Sequence, residues 1–484
     1  MTKRLSASGA RIRGDDYQHL FAWFQVIRAI QVESGIAEIG IEDPEAGNAD
    51  DVTVYTEDQK HEFYQVKSSV DARETIGLEW LMKPSRTGGQ SVVQRFYSLW
   101  ADGPKECKPK LFLVTNRLAT VGDPILRMID GRNRTVARSL RLADSNSGAG
   151  IARKELSEHL QISEKEVLVF LENLCFQLGK SDYDWIEMAK PYMFAASLRH
   201  DEEAVAQGVG IVRGWVTAGK RKLTTAELRR AVEPLKCTDD LPAASLLVQA
   251  IDRDPMPEAA TIVLDWAGLF PGSEPRVRRQ PSDKTLWNNQ FRPELQKAAQ
   301  DLRAQGHTNV LVQGYMRLPT WFAAGVELGK TAGFQVASFQ GQTPWSSEGR
   351  LSEIAVEHVA TNVGVGDGLA IGVALAFDLS IDVLTYLHDQ QIDVGEYVCL
   401  RPVGGASNQS IRNDAEARKW AYETRDSIRH LVQKYSPSRI HLFLAGPHGA
   451  MLLLGHLWDH MPTTQLYEDL GATKGYSPSY LIPN

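Results

Sequence analysis

The residues best suited to chemistry lie near the N-terminus, on two neighbouring predicted strands. Asp51 opens the strand at 51–55, and Gln65 and Lys67 lie in the strand at 62–68. Because side chains alternate along a strand, Gln65 and Lys67 point to the same face. A turn separates the two strands, so Asp51 is expected beside this pair. An acid, an amide and an amine in this arrangement suit metal-assisted hydrolysis of a phosphodiester.

Each of these residue types has a place in that reaction. Mg²⁺, or Mn²⁺ in its stead, prefers oxygen ligands and keeps several of its waters. Asp51 supplies a carboxylate. Gln65 supplies either an amide oxygen that binds the metal or a hydrogen bond to one of the residues that bind it. Lys67 would orient or deprotonate the attacking water and stabilise the negative charge of the transition state.

A glutamine at position 65 leaves the site one carboxylate poorer than a glutamate would. Glu42, at the end of the preceding strand, is the first candidate for a further metal ligand beside Asp51 and Gln65. Asp50 and Gln18, the latter on the opening helix, are the next candidates for the catalytic set. The alternative is an ordinary strand that carries a surface lysine and glutamine.

The composition sets bounds on the class of protein. The chain has 484 residues, 43% of them apolar, and a net charge of −7, so two or three globular domains are expected and any contact with DNA must come from local basic patches. The four cysteines lack zinc or redox spacing. No signal peptide or bilayer-spanning stretch is evident, so we expect a cytoplasmic protein without a membrane partner.

The N-terminal part has the pattern of a mixed α/β domain, expected over residues 1–150. Residues 151–250 are mostly helical in pattern and are interpreted as an extension of that domain. A proline-rich stretch at 252–290 predicts a boundary, with the second domain at 258–484. The elements expected in the N-terminal domain are a helix at 17–32, strands at 36–42, 51–55 and 62–68, a helix at 91–100 and a strand at 110–116.

The C-terminal half repeats a strand–loop–helix pattern, at 309–340, 369–402 and 439–461. In the first and last repeats an apolar strand ends at a glycine, Gly314 or Gly446, and a proline and an apolar helix follow. Strands that alternate with helices predict βαβ crossovers and a parallel sheet. The two similar repeats favour a pseudo-duplicated Rossmann-like fold.

In such sheets ligands bind beyond the carboxyl ends of the strands. Arg317 or Arg401 would pair with a phosphate, Tyr315 and Trp345 would stack on bases, and His448 would donate to a phosphate or base edge. Taken singly, the aromatic residues are as well explained by core packing. The predicted ligand-binding residues are Gln313, Tyr315, Met316, Arg317, Gln340, Pro344, Trp345, Arg401, Pro447 and His448.

Two regions of the sequence resemble a known architecture. The segments around Gln18, Asp51 and 64–67 resemble the PD-(D/E)xK-type, restriction-endonuclease-like domain of bacterial anti-phage (CBASS) endonuclease effectors. Segments 312–319, 334–340 and 443–449 resemble the SAVED domain, with its two CARF-like halves, that is fused to them. The resemblance implies a sensor that binds a cyclic oligonucleotide, expected to be a cyclic trinucleotide, made by a partner cyclase. Binding would drive homo-oligomerisation and switch on cleavage of double-stranded DNA.

Two other functions stay open at this point. One is a stand-alone restriction-type nuclease whose C-terminal half recognises DNA, although few basic residues lie at the predicted strand ends. The other is a non-catalytic nucleotide-binding or scaffolding protein with a decayed nuclease fold. The intact Asp51, Gln65 and Lys67 argue against the second alternative.

Overall fold

The computed structural model describes residues 7–44, 51–71, 73–84, 89–131, 133–237, 242–272, 274–471 and 474–484, with the backbone alone for residues 7–12. The chain divides into two compact units, Met1–Asp240 and Leu241–Asn484. Both are mixtures of helices and sheets, which confirms the predicted α/β class. The restriction-endonuclease-like arrangement of the first unit stays a prediction.

The first unit is built around one mixed sheet. Its elements are α1 (Ala7–Ala29), β1 (Ile36–Ile41), β2 (Val52–Thr56), β3 (Glu62–Lys67), β4 (Thr75–Ile76), α2 (Leu78–Met82), α3 (Val92–Asp102), β5 (Lys110–Thr115), β6 (Leu118–Ala119), α4 (Ala137–Leu142), α5 (Gly148–Leu160), α6 (Glu164–Leu171), β7 (Leu174–Gln177), α7 (Asp182–Ala195), α8 (Glu202–Thr217), β8 (Lys222–Thr224) and α9 (Thr225–Ala231). The six strands follow the order β7-β5-β3-β2-β1-β8, and β4 pairs with β6 separately.

Strand β3 lies near the middle of this sheet and has a different environment on each face. It pairs antiparallel with β2 and parallel with β5. Tyr64 faces α1, where its ring lies 5.0 Å from that of Phe21 and stacks at 4.4 Å on Phe112. Phe63, on the opposite face, packs against the apolar cluster formed with α3, α5 and α6. Because alternate residues face alternate sides, Gln65 and Lys67 share the face of Phe63.

A buried ion pair fixes the first helix to β3. The Arg28 guanidinium bonds the Glu62 carboxylate through both terminal nitrogens, and the Tyr64 hydroxyl donates to Glu62 Oε2 at 2.8 Å. Burial by itself would raise the pKa of Glu62, but the positive charge of Arg28 and these hydrogen bonds outweigh it, so the pKa is lowered. Removing either partner would leave an unpaired buried charge.

The expected helical extension contains two strands that belong to the first sheet. β7 pairs parallel with β5, and β8 pairs antiparallel with β1. The helical pattern expected for residues 151–250 is therefore interrupted after Leu171, where α6 ends and the chain leads into β7. An apolar run of this length has no periodicity that separates a helix end from a short buried strand.

The second unit contains two further sheets. Its elements are β9 (Ala244–Gln249), β10 (Ile262–Asp265), α10 (Arg292–Ala304), β11 (Asn309–Tyr315), α11 (Leu318–Glu327), β12 (Gln335–Gln340), β13 (Thr343–Ser346), β14 (Val356–Asn362), β15 (Gly368–Ala374), α12 (Ser380–Asp389), β16 (Val394–Pro402), α13 (Asp414–Tyr435), β17 (Ile440–Ala445), α14 (His448–His456), β18 (Thr464–Asp469) and β19 (Tyr476–Ile482). The strand orders are β10-β9-β11-β12-β13 and β14-β16-β15-β17-β18-β19.

The inner strands of both sheets are parallel, as predicted. Antiparallel strands lie at one edge of the first sheet, β13, and at both edges of the second, β14 and β19. The second unit starts earlier than the predicted residue 258, because β9 pairs with β10 and β11. Its six residues are all buried, so this strand lacks the alternation that would mark it in the sequence. Among the described helices, none is long and apolar enough to cross a bilayer.

Helices α11 and α14 join the two sheets of the second unit through direct backbone contact. A Cβ atom added to Gly325 would lie 2.2 Å from the Leu452 carbonyl oxygen, and one added to Gly455 would lie 2.1 Å from that of Phe322. Each helix starts three residues after the end of a central strand, β11 or β17. The two strand–helix repeats therefore pack helix against helix through glycine.

Gly455→Ala should destabilise the second unit because its new methyl group has no room. We expect a loss of about 1–3 kcal/mol in the free energy of unfolding, as for overpacked cores, measured by urea denaturation of the full chain. Gly210→Ala is the matched control, because Gly210 is an exposed position of α8 with nothing within 4 Å of an added Cβ. That change should stabilise by about 0.5–1 kcal/mol; equal stability of both variants would contradict the close contact.

Candidate functional site

Asp51 is the acceptor on which the predicted catalytic residues converge. Its Oδ2 accepts hydrogen bonds from Gln65 Nε2 at 2.6 Å, from the Val66 backbone N–H at 2.7 Å and from Lys67 Nζ at 3.1 Å. The backbone N–H of Asp51 donates to the Tyr64 carbonyl at 2.8 Å, which holds the residue against β3. The structure thus brings Asp51, Gln65 and Lys67 into direct contact.

The exposure of these three residues is graded. Gln65 is buried, the Asp51 side chain is 17% exposed, and the Lys67 side chain is 37% exposed. Gln65 therefore lies at the buried end of the cluster and Lys67 at the end that is open to solvent.

Glu42 and Gln18 form a second polar group beside the first. Gln18 Nε2 donates to Glu42 Oε1 at 3.3 Å, and Arg221 Nη1 donates to Glu42 Oε2 at 2.6 Å. The backbone N–H of Glu42 donates to the Asp51 carbonyl at 2.9 Å, so the two groups adjoin through the main chain. Asp50, the other predicted member, lies outside the described residues.

The donor set fits a hard divalent cation in part. Among the described residues, no group of three or more His, Cys, Asp or Glu side chains is arranged to hold a metal ion. Mg²⁺, however, is commonly held by one or two carboxylates, with water and substrate phosphate completing the shell. Asp51 and Glu42 supply two carboxylates at positions joined by a main-chain hydrogen bond, which meets that lower requirement in number. Gln65 presents its Nε2 to Asp51, so its amide would have to turn to offer the oxygen to a metal ion.

In the second unit, a cavity of about 250 Å³ lies where parallel strands of both sheets end. Gln340 ends β12, Leu375 and Ala376 follow β15, and Gly446 and Pro447 follow β17. The loop after β16 closes it with Ser407, Asn408 and Ile411. This is the position at which α/β sheets bind ligands.

A larger groove of about 710 Å³ lies between α12 and the β18–β19 hairpin. Asp382, Asp389 and Asp469 line it, together with Lys284 and Lys474. The carboxylates would repel a phosphate diester. The smaller, uncharged cavity at the strand ends is therefore the better candidate for a nucleotide.

Comparison with known proteins relates the C-terminal part of the chain to a family of sensor domains. Residues 291–482 match the family of the SMODS-associated and fused to various effectors sensor domain, abbreviated SAVED. Residues 291–482 form a SAVED domain. Over 500 aligned residues the chain is also 22% identical to CD-NTase-associated protein 4 of Enterobacter hormaechei subsp. hoffmannii (strain UCI 50), with 95% of each protein covered. These matches confirm the resemblance to CBASS effectors with a SAVED sensor.

Two solved structures are similar at low identity. One is the Acinetobacter baumannii Cap4 SAVED/CARF-domain containing receptor with the cyclic trinucleotide 2'3'3'-cAAA, at 14% identity and a TM-score of 0.46, with 100% of both chains covered. The other is the Moraxella osloensis Cap4 SAVED/CARF-domain containing receptor, at 14% identity and a TM-score of 0.41, with 97% of this chain and 99% of that chain covered.

The SAVED domain brings some of the predicted ligand residues to the cavity. Gln340 and Pro447 line it, and His448, at the start of α14, bonds the Phe339 carbonyl at 2.9 Å and lies beside Trp321. Burial lowers the pKa of His448 below its usual value, and the hydrogen bond to the Phe339 carbonyl raises it by less. The imidazole is therefore neutral at physiological pH.

The other predicted ligand residues are placed away from the cavity or are already engaged. Met316 and Trp345 pack in the core of the SAVED domain, so in this arrangement neither is open to a ligand. Arg401 Nε donates to Glu357 at 2.8 Å. Gln313 and Pro344 are half-buried on strands, and Tyr315 is 46% exposed at the end of β11.

Arg317 has a structural role at the start of α11. Its guanidinium donates to the carbonyl oxygens of Pro275 and Arg278 at 2.8–3.1 Å, and it lies 3.6 Å from Glu468.

The cavity also contains residues that the sequence analysis did not single out, namely those of the 407–411 loop and 375–376. The polar run Ser-Asn-Gln-Ser after two glycines was the available signal.

Glu468 gives the SAVED domain a pH-dependent stability. Burial raises the pKa of its carboxyl from 4.5 to about 8, although Arg317 opposes the shift. Since the folded form binds the proton more tightly, stability is retained below the unfolded pKa and falls as pH rises toward 8. Glu468→Gln should therefore raise the melting temperature more at pH 8 than at pH 5, whereas exposed Glu353→Gln should act alike at both. Equal shifts for Glu468→Gln would contradict the burial effect.

Proposed function

We propose that this protein is a metal-dependent endonuclease for double-stranded DNA that is controlled by a cyclic oligonucleotide bound to its SAVED domain. The observation that carries the proposal is the convergence of Gln65 and Lys67 on Asp51 in a chain that also contains a sensor domain. The similarity of the whole chain to CD-NTase-associated protein 4 also supports this proposal.

Each side chain of the cluster has a defined task in this reaction. Asp51 and the Gln65 amide oxygen would hold Mg²⁺, with Glu42 as a further ligand. The ion, when bound, polarises the scissile phosphate and lowers the pKa of a water. Lys67 lies within 3.1 Å of Asp51 and is open to solvent, so its ammonium group would contact the phosphate and stabilise the added charge of the transition state.

The cavity at the strand ends is the proposed sensor site. At about 250 Å³ it is smaller than a pocket for a whole drug-sized ligand. We therefore expect it to take one nucleotide of a cyclic oligonucleotide, with a cyclic trinucleotide as the first candidate. A ligand that binds an assembled, active form better than the resting form shifts the equilibrium toward activity. Homo-oligomerisation on binding is part of this proposal.

Plasmid cleavage tests the catalytic assignment. Full-length protein is incubated with supercoiled plasmid and Mg²⁺, with and without a panel of cyclic di- and trinucleotides. Lys67→Ala should lower ligand-triggered cleavage by at least about 100-fold, the usual size of a general acid–base contribution. Lys60→Ala is the control, because Lys60 is an exposed lysine paired with Asp58 and should cleave like the unchanged protein.

The same experiment separates the alternatives. If the unchanged protein cleaves plasmid at the same rate with and without a cyclic nucleotide, a stand-alone nuclease is favoured. Absence of cleavage under every condition would favour a non-catalytic nucleotide-binding protein. Undiminished cleavage by Lys67→Ala would remove the assignment of this cluster.

The sensor assignment has its own test. Asn408 lines the cavity, and its neighbour Gln409 is exposed and does not. Asn408→Ala should raise the activator concentration needed for half-maximal cleavage by about tenfold, as expected for the loss of a hydrogen bond to a charged or polar ligand group. Gln409→Ala should leave that concentration unchanged. Equal effects of the two variants would place the activator elsewhere.

A further inference from the structure

Both carboxylates proposed to hold the metal are paired with cations of the chain. Asp51 Oδ2 receives the Lys67 ammonium at 3.1 Å, and Glu42 Oε2 receives the Arg221 guanidinium at 2.6 Å. A metal ion and a guanidinium are both cations, so a guanidinium that already neutralises a carboxylate weakens the attraction of that carboxylate for a metal ion. Arg221 is therefore placed to compete with a metal ion for Glu42.

Arg221 holds Glu42 through its main chain as well as its side chain. Its carbonyl oxygen accepts from the Ile41 N–H at 2.8 Å, one residue before Glu42. The segment that follows, β8, pairs with β1 and ends 13 residues before Cys237, the last described residue of the first unit. The arginine thus lies on the stretch of chain that leads toward the sensor unit.

The backbone of Glu42 is in a conformation that needs support. Its φ is +47°, in the left-handed region that a residue with a side chain adopts at an energetic cost. Bonds on both sides maintain it: Ile41 to Arg221, and Glu42 N–H to the Asp51 carbonyl. These bonds join main-chain atoms, so a substitution of the Arg221 side chain leaves them in place and acts on the Glu42 carboxylate alone.

We propose that Arg221 is a positioning residue that withholds Glu42 from the metal ion in the resting protein. Release of Glu42 completes a two-carboxylate site with Asp51 and raises the affinity for the metal. The inference rests on the proposed function for the identity of the metal site and adds a point of control within it. Gln18, which bonds the other Glu42 oxygen at 3.3 Å, keeps the carboxylate on the same side of the site after release.

Mn²⁺ binding to the full chain, measured by isothermal titration calorimetry without DNA or activator, tests this role. Arg221→Ala should bind Mn²⁺ about twofold to fivefold more tightly than the unchanged protein, the range set by a partly exposed ion pair. Arg221→Lys should restore most of the weaker binding because it keeps the charge. Adding Glu42→Gln to Arg221→Ala should abolish the gain.

Lys222→Ala is the matched control. Lys222 is the next residue, pairs with Glu38 at 3.1 Å and lies over the Tyr55 ring, away from Glu42. Its removal should leave Mn²⁺ affinity unchanged. Circular dichroism and thermal unfolding of each variant report whether the edge of the sheet is retained. We expect Arg221→Ala to retain it, because the Ile41 N–H bonds the main-chain carbonyl oxygen of residue 221 and not its side chain.

Three outcomes would overturn the role of Arg221: unchanged or weaker Mn²⁺ binding in a folded Arg221→Ala protein, a gain that persists with Glu42→Gln, or no Mn²⁺ binding by any variant. Failure of the nuclease proposal is read separately, from ligand-triggered plasmid cleavage by the unchanged protein and by Lys67→Ala. If the unchanged protein cleaves plasmid as proposed and Arg221→Ala binds Mn²⁺ with unchanged affinity, only the role of Arg221 is rejected and the nuclease proposal stands.

Discussion

Strand β3 carries two sets of polar side chains on opposite faces, and its register decides where both sets lie. Glu62 and Tyr64 face α1, where Glu62 is buried against Arg28. A shift of one residue would move Glu62 away from Arg28 and would turn each buried side chain of the strand to the opposite face of the sheet. The large cost of leaving Arg28 unpaired in the interior therefore fixes the register. Gln65 and Lys67 meet Asp51 because of that buried pair.

The short-range part of the site was predictable, and the long-range part was not. Alternation along one strand and one turn sufficed to place Gln65 and Lys67 beside Asp51. Arg221 lies 179 residues from Glu42 in sequence, and no local pattern indicates that β8 joins this sheet. The same limit applies to the cavity in the SAVED domain, where Asn408 and Ala376 meet only through the fold. Arg317 had the expected charge, but its bonds to carbonyl oxygens depend on the chain at 275–278.

The two strand–helix repeats of the second unit are held together by their helices. Helices α11 and α14 contact each other through Gly325 and Gly455, so the strands that precede them must end close together. The sequence pattern of an apolar strand, a proline and an apolar helix predicted the repeats. It could not predict the helix contact, because glycines within apolar helices also occur without any partner. Of these repeats only the second reaches the cavity, through Gly446 and Pro447 between β17 and α14.

The position of β8 has a consequence for how the first unit can be divided. This three-residue strand covers the outer side of β1, and β7 forms the opposite edge of the sheet. A fragment that stops near residue 150 would keep Asp51, Gln65 and Lys67 but would leave both β1 and β5 with unsatisfied backbone donors and acceptors. Open edges of this kind recruit strands from other molecules. What looks in the sequence like an accessory helical stretch therefore also keeps the strands of the candidate site from pairing with those of a neighbouring molecule.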